Sequence, residues 1–167
     1  MSIRMEKMLS KLFLAMCFMT LNLSLVSQAT DSPNDILEAH NKYRAQVGAP
    51  PLDWDDSLAS YAQDYADKKK GDCEMKHSMG PYGENLASAS GNMSIVDAVK
   101  FWTDEKSDYD HASNTCKSGG HDCFHYTQVV SKASFSVGCG KAKCANGWEY
   151  VVCSYYPPGN IEGEKPY

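Results

Sequence analysis

The number and spacing of cysteines constrain the fold of this chain more than any other sequence feature. One of the seven cysteines lies in the apolar N-terminal segment described below, and the other six are Cys73, Cys116, Cys123, Cys139, Cys144 and Cys153. An even number of cysteines in a secreted chain of this length predicts three disulfides. Zinc ligation is the alternative, although no two of these cysteines have the Cys-x-x-Cys spacing of a structural zinc site. Spacing alone does not choose among the disulfide pairings.

The N-terminal segment has the organisation of a cleaved signal peptide. Three basic residues precede an apolar run from Leu12 to Leu25, and Ser27-Gln28-Ala29 has the small-x-small pattern of a signal-peptidase site. A membrane anchor is the alternative, but the run is short for a span of about 20 apolar residues, and polar side chains interrupt it. We therefore expect residues 1–29 to be removed and residues 30–167 to fold as one secreted domain.

The charge of the mature chain excludes several partners. Cleavage removes three of the 16 basic residues and one of the 21 acidic residues, which leaves 13 against 20 and a formal charge of −7. Nucleic acid and anionic membrane are poor partners for such a chain. The one basic cluster, Lys68-Lys69-Lys70, lies at the end of a predicted helix, where it complements the helix dipole. We expect a monomer.

Four helices and three strands are predicted from periodicity and from the residues at element ends. The predicted helices are Ser32 to Gly48, Asp56 to Lys70, a helix that follows Ser94, and a short one at Phe124 to Val130. The predicted strands are one around Asn85-Leu86-Ala87, Phe135 to Lys143, and Trp148 to Tyr156. Asn146-Gly147 predicts a hairpin between the last two strands. The result is an α+β fold with helices packed on an antiparallel sheet.

Two histidines and two glutamates at the edges of predicted elements are the candidate site: His77, Glu84, Glu105 and His125. His77 and Glu84 flank the loop in "KHSMGPYGENLA", and a simple surface turn would need neither of them. If the four converge in one cleft, imidazoles and carboxylates are ligands that zinc accepts. The alternative is a buried polar network that fixes a loop on the core. Spacing alone favours the network, because isolated histidines and glutamates form no motif.

The other histidines and the one glycosylation sequon are weaker candidates. His40 follows the apolar face of the first helix and is expected to be a hydrogen-bonded core residue. His111 and His121 flank a Gly-rich loop and are expected to be exposed there. Asn92-Met93-Ser94 is an N-glycosylation sequon in a predicted loop, although Ser94 is also the predicted cap of the third helix.

Four separated blocks of the sequence resemble one known family. "HNKYRAQVGAPPLDWDDSLASYAQDYA", "GDCEMKHSMGPYGENLA", "HYTQVV" and "GCGKAKCANGWEYVVCSYYPPGN" together look like a plant pathogenesis-related protein of class 1, within the CAP superfamily. The resemblance covers nearly all of residues 32–167. It implies a three-layer α-β-α sandwich and a cleft tetrad formed by His77, Glu84, Glu105 and His125. The implied disulfides are Cys73–Cys144, Cys116–Cys123 and Cys139–Cys153.

The resemblance also implies a function. It implies a defence protein, secreted to the apoplast or the vacuole, that acts against fungi and oomycetes by binding a sterol or another lipid without catalysis. Some animal relatives hold a divalent metal on the two histidines, so zinc is the expected metal, although no cofactor is expected to be required. The alternative is a zinc-dependent hydrolase, in which the histidines bind zinc and a glutamate is the general base on the bound water.

The C-terminal segment, Pro157–Tyr167, fits the form of a signalling peptide that related proteins release, which implies a receptor as partner. Its sequence, "PPGNIEGEKPY", offers few apolar side chains, and we expect it to make few contacts with the domain. The alternative is that Ile161 and Tyr167 pack it back on the sheet.

The sequence departs from the family pattern at two positions. Ser131 stands where the family usually has tryptophan after "HYTQVV", so an aromatic side chain is missing a few residues from His125. Ser154 stands where the family usually has asparagine, which alters the flank of the C-terminal segment.

Overall fold

The computed structural model describes residues 31–167. The predicted signal peptide lies outside the described residues, and no helix within 31–167 is long and apolar enough to cross a membrane. The helices are α1 (Pro33–Val47), α2 (Asp56–Lys69), α3 (Ile95–Asp104) and α4 (Phe124–Val129), with a 3-10 helix at Glu105–Asp108. The strands are β1 (Asp53–Trp54), β2 (Gly83–Ala89), β3 (Tyr109–Asp110), β4 (Thr115–Cys116), β5 (Ser136–Lys143) and β6 (Glu149–Tyr156).

The ends of α1 and α3 lie where the capping residues predict them. The Ser32 hydroxyl accepts the backbone N–H of Asp35, and α1 ends at Gly48, whose φ of 74° is left-handed. Ser94 and Asp97 form a capping box at the start of α3, each side chain accepting the backbone N–H of the other residue. Asn92 is exposed in the loop before this cap. Its glycosylation stays a prediction.

The main sheet is mixed, and its strand order is β1-β5-β6-β2. The predicted hairpin pairs β5 with β6 in antiparallel register, and β2 pairs with β6 in the same sense. The expected wholly antiparallel sheet is wrong at one edge, because β1 pairs parallel to β5. With only two residues, β1 is too short to produce an alternating pattern in the sequence.

Helices cover both faces of this sheet. Side chains alternate along β6, so neighbouring residues pack against opposite layers. Tyr150 and Val152 pack with Ala62 of α2. Val151 and Tyr155 face the larger cluster, to which α1, α3 and α4 contribute. The chain therefore forms the α-β-α sandwich that the resemblance implies.

Two glycines of β5 allow α2 to approach the sheet closely. A Cβ atom at Gly138 would lie 2.1 Å from the backbone N of Ala59, and one at Gly140 would lie 2.4 Å from Cα of Gln63. These obstacles are helix backbone, which cannot rotate away as a side chain can. Any other residue at either position would force α2 off the sheet.

The three disulfides have the pairing that the resemblance implies: Cys73–Cys144, Cys116–Cys123 and Cys139–Cys153. Cys139 and Cys153 lie directly opposite one another on β5 and β6. Cys73–Cys144 connects the loop after α2 to the end of β5, across 71 residues of sequence.

A buried arginine joins α1 to the chain that follows α4. Arg44 is fully buried, and its guanidinium donates to the carbonyl oxygens of Pro50 (2.6 Å), Val129 (2.9 Å), Ser131 (2.8 Å) and Ser134 (3.0 Å). Burial lowers its pKa to about 10, so it remains charged at neutral pH. Its positive charge is therefore stabilised by backbone dipoles, and α1 and α4 are held in a fixed relation.

The C-terminal segment packs against α4 and the β3–β4 hairpin. Pro166 is buried and Tyr167 is partly buried, whereas Ile161 is 46 % exposed. The expectation of few contacts is therefore wrong. The alternative is right that Tyr167 packs back, although against the β3–β4 hairpin and α4 rather than the main sheet, and it is wrong about Ile161. Composition is misleading here because most of these contacts are hydrogen bonds made by polar side chains and backbone groups.

Candidate functional site

A cleft of about 480 Å³ opens at the edge of the sheet where β2 begins. Its walls come from the loop between α2 and β2 and the start of β2, from α4 and His121 in the loop before it, and from the start of the C-terminal segment. His77, Glu84 and His125 all line it, whereas Glu105 does not. Three of the four predicted site residues therefore share one cavity.

The first histidine–glutamate pair joins the loop to β2. Nδ1 of His77 lies 2.8 Å from Oε1 of Glu84, and the same oxygen accepts the backbone N–H of Ser78 at 2.9 Å. The Glu84 side chain is 6 % exposed, whereas that of His77 is 54 % exposed. Oε2 of Glu84 is buried and has no hydrogen-bond partner within residues 31–167. A buried carboxylate oxygen without a donor is costly, so the hydrogen bonds to the other carboxylate oxygen have to hold Glu84 in place.

The pair shifts the pKa of both partners in a way that favours its charged form. The hydrogen bond to Glu84 raises the pKa of His77, although burial acts in the opposite direction. Burial acts to raise the pKa of Glu84, but hydrogen bonds from His77 and Ser78 outweigh it and hold this pKa below its usual value. The ion pair is therefore present at mildly acidic pH, and it is lost when His77 deprotonates at higher pH.

The second pair lies between α4 and the 3-10 helix. Nδ1 of His125 lies 2.7 Å from Oε1 of Glu105, and Oε2 of Glu105 accepts the backbone N–H of Tyr126 at 3.2 Å. The imidazole also stacks on the indole of Trp102, with ring centroids 6.2 Å apart. Glu105 thus orients the His125 imidazole from outside the cleft, while the imidazole itself lines the cleft.

A chain of buried polar residues fixes α4 relative to the sheet. Asn85 follows Glu84 on β2 and points to the opposite face of the sheet. Its amide donates to the carbonyl oxygen of His125 at 3.0 Å and lies 3.4 Å from the Tyr155 hydroxyl. That hydroxyl contacts Nε2 of His40 at 2.9 Å. On one face of the edge strand β2, Glu84 holds the His77 imidazole, and on the other face Asn85 holds the backbone of His125. The two histidine–glutamate pairs therefore meet at one cleft.

Both imidazoles have the same hydrogen-bond arrangement. A carboxylate only accepts, so in the neutral ring Nδ1 carries the proton and Nε2 is the acceptor. An Nε2 acceptor can bind a cation or accept a proton from a ligand. However, no group of three or more metal-ligating side chains occurs within residues 31–167. The sequence left two alternatives, a metal-binding cleft and a buried polar network. The structure has features of both, since each carboxylate is a hydrogen-bond partner of an imidazole at a cavity wall.

The remaining histidines are buried or exposed as the sequence predicts, but the sequence does not predict that one of them lines the cleft. His40 is buried and hydrogen-bonded at both ring nitrogens, and burial lowers its pKa to about 4. The sequence-based interpretation of His40 as a core residue is confirmed. His111 and His121 are exposed, but His121 also lines the cleft, where its ring stacks on Phe124 at 4.5 Å. No sequence signal distinguishes His121 from an ordinary loop residue.

The comparison with family models identifies the class of protein. The cysteine-rich secretory protein family, abbreviated CAP, matches residues 37–155. The chain belongs to this family.

Similar proteins narrow the class further. The chain is 53 % identical over 141 residues to pathogenesis-related protein 1A of Nicotiana tabacum, covering 84 % of this chain and 83 % of that protein. It is 49 % identical over 167 residues to pathogenesis-related protein 1A1 of Solanum lycopersicum, covering 95 % and 94 %. These relatives make the chain a CAP protein of the plant-defence class.

Solved structures show the same fold. Venom allergen-like protein 4 of Schistosoma mansoni is 30 % identical, with a TM-score of 0.63 over 83 % of this chain and 94 % of that one. A structure of NaASP2 with Zn²⁺ is 24 % identical, with a TM-score of 0.69 over 86 % and 88 %. At that identity the second comparison shows the fold alone.

Proposed function

We propose that this protein is secreted and acts against fungi and oomycetes by binding a sterol or another hydroxyl-bearing lipid in the cleft, without catalysis. The observation that carries the proposal is a cleft of about 480 Å³ whose rim carries the exposed apolar side chains of Met79 and Phe124 and whose wall carries the imidazoles of His77 and His125. A lipid hydroxyl would donate to Nε2 of one of these imidazoles. The ring system would then lie against Met79, which is 87 % exposed, and Phe124, which is 41 % exposed. Burying such side chains against a ligand is favourable.

The non-enzymatic part of the proposal is supported by what the carboxylates do. Glu84 and Glu105 each accept an imidazole and a backbone N–H. This arrangement orients histidines, whereas the alternative of a zinc-dependent hydrolase needs a glutamate directed at a metal-bound water. Secretion and the signalling role of the C-terminal segment also belong to this proposal.

Replacing Phe124 with alanine is expected to weaken the binding of a fluorescent sterol by about tenfold, because an aromatic contact at the cleft rim is lost. The matched control is Phe135→Ala, since Phe135 is also an exposed phenylalanine but does not line the cleft. Titration of each purified protein with the sterol gives the affinities. Equal affinities for the two variants would place sterol binding elsewhere or remove it.

A weak divalent-metal site is the second part of the proposal. His77 and His125 line the same cleft, and each has its Nδ1 proton engaged by a glutamate. Two imidazoles with solvent in the remaining positions fit zinc, but two protein ligands are fewer than the three of catalytic sites. We therefore expect the metal to bind weakly and reversibly, and not to be required for the fold.

Zinc binding should be detectable by calorimetry in the wild type and lost in His125→Ala. Affinity should fall as the pH falls towards about 6, because protonated imidazole cannot ligate. The raised pKa of His77 moves this loss to higher pH than an ordinary histidine would show. His121→Ala is the control, since His121 lines the cleft but stacks on Phe124. Equal heats for wild type and His125→Ala would eliminate the site.

A further inference from the structure

The C-terminal segment is held at its start by the helix α4. The Gln128 side-chain oxygen accepts the backbone N–H of Gly159 at 2.9 Å. The side chain of Asn160 accepts the Thr127 hydroxyl at 2.6 Å and donates to the carbonyl oxygen of Phe124 at 2.9 Å. These bonds use both the oxygen and the nitrogen of one side-chain amide, so this attachment is specific for asparagine.

The other end of the segment is held by an aromatic site on the β3–β4 hairpin. The ring of Tyr167 stacks on His111, with centroids 4.6 Å apart and planes 13° apart, and meets Tyr109 edge-on at 6.2 Å. Nε2 of His111 lies 3.1 Å from the Tyr167 carbonyl oxygen. The Tyr167 hydroxyl lies 3.4 Å from that of Tyr126. Tyr167 is thus contacted on its face, its edge, its backbone and its hydroxyl.

Backbone hydrogen bonds flank this aromatic site. The carbonyl oxygen of Pro166 accepts the backbone N–H of Lys132 at 2.7 Å, and that of Glu164 accepts the Asn114 side chain at 3.1 Å. Pro166 is itself buried. Between the two attachments, residues 161–165 are exposed and cross a cavity of about 220 Å³. The segment therefore binds at two separate places joined by an exposed turn.

A disulfide crosslinks the surface that receives the segment. The Cys116–Cys123 disulfide joins the end of the hairpin to the start of α4, so the two attachment surfaces are covalently connected. A preformed surface loses little conformational entropy when a peptide binds to it. The contacts that hold the segment are made by its own side chains and backbone groups. They do not require the peptide bond that joins the segment to β6.

We propose that the hairpin β3–β4 and α4 form a peptide-binding site that recognises Gly-Asn near one end and Pro-Tyr at the other. The site holds the C-terminal segment whether or not the chain is intact between Tyr156 and Pro157. Cleavage there then yields a nicked complex, and separation of the segment is a second step controlled by the Tyr167 site. The inference concerns binding alone and stands even if the segment carries no signal.

The test uses the full chain with a protease recognition sequence inserted between Tyr156 and Pro157. After cleavage, gel filtration at micromolar concentration followed by mass spectrometry should find the fragment eluting with the domain. Tyr167→Ala should increase fragment dissociation at least tenfold. Ile161→Ala is the matched control, because Ile161 is apolar but largely exposed, and it should leave retention unchanged.

A second insertion, between Pro158, which is exposed, and Gly159, guards against disturbance at the first position and keeps both attachments in the fragment. The melting temperature of each uncleaved protein shows whether the insertion is tolerated. Retention of the fragment in the tolerated protein, with loss on Tyr167→Ala, supports the site. Separation of the fragment from both nicked proteins would overturn it, and so would equal loosening by Tyr167→Ala and Ile161→Ala.

Discussion

Replacing Arg44 with methionine is expected to destabilise the protein by about 4 kcal/mol or more, a large share of the roughly 5–15 kcal/mol by which an ordinary domain is stable. Methionine fills much of the same volume but donates no hydrogen bond. The carbonyl oxygens of Val129 and Ser134 would each lose the guanidinium as a donor in a buried site, and that of Pro50 would lose it in a partly buried one. That of Ser131 would keep the backbone N–H of Ser134. Each buried carbonyl left without a donor costs about 1–3 kcal/mol.

Urea unfolding of the wild type and two variants measures this effect. Arg44→Lys keeps the positive charge but cannot reach four carbonyls with one ammonium group, so an intermediate loss is expected. Lys100→Met is the control at an exposed position, where solvent screens the ion pair with Asp104 and the pair contributes little to stability. A loss below about 1 kcal/mol for Arg44→Met would show that water or rearranged backbone replaces the guanidinium.

Local signals in the sequence predict most of the secondary structure, because the residues that end each element act on their own neighbours. Ser94 and Asp97 predict the start of α3, and Asn146-Gly147 predicts the β5–β6 hairpin. The parallel strand β1 and the role of Arg44 depend on partners more than 80 residues away. Their physical causes therefore cannot be identified before the fold is known.

The candidate site shows the same division. The sequence singles out two histidines and two glutamates at the edges of predicted elements, and the structure brings them together as two hydrogen-bonded pairs. That Glu105 supports His125 from outside the cleft depends on the 3-10 helix after α3. The part played by Asn85 depends on which face of an edge strand meets α4. Composition was least informative for the C-terminal segment, where polar groups make most of the contacts.

Removing the Cys73–Cys144 disulfide is expected to cost about 4 kcal/mol, roughly twice the effect of removing Cys116–Cys123. In the chain-entropy description, a disulfide stabilises the fold by restricting the unfolded chain, and the effect grows with loop length. The two disulfides span 71 and 7 residues of sequence, which corresponds to about 4 and about 2 kcal/mol. The paired alanine variants Cys73→Ala with Cys144→Ala and Cys116→Ala with Cys123→Ala provide the comparison.

Each of the two disulfides also has a distinct local role. A second measurement, besides stability, can therefore distinguish the two variants. Cys73 begins the loop that carries His77, so loss of Cys73–Cys144 should weaken zinc binding as well as stability. Cys116–Cys123 joins the hairpin to α4, so its loss should instead loosen the C-terminal segment. Urea unfolding, zinc calorimetry and fragment retention measure the three effects. If the shorter disulfide contributes as much stability as the longer one, native contacts rather than unfolded-chain entropy determine what these crosslinks contribute.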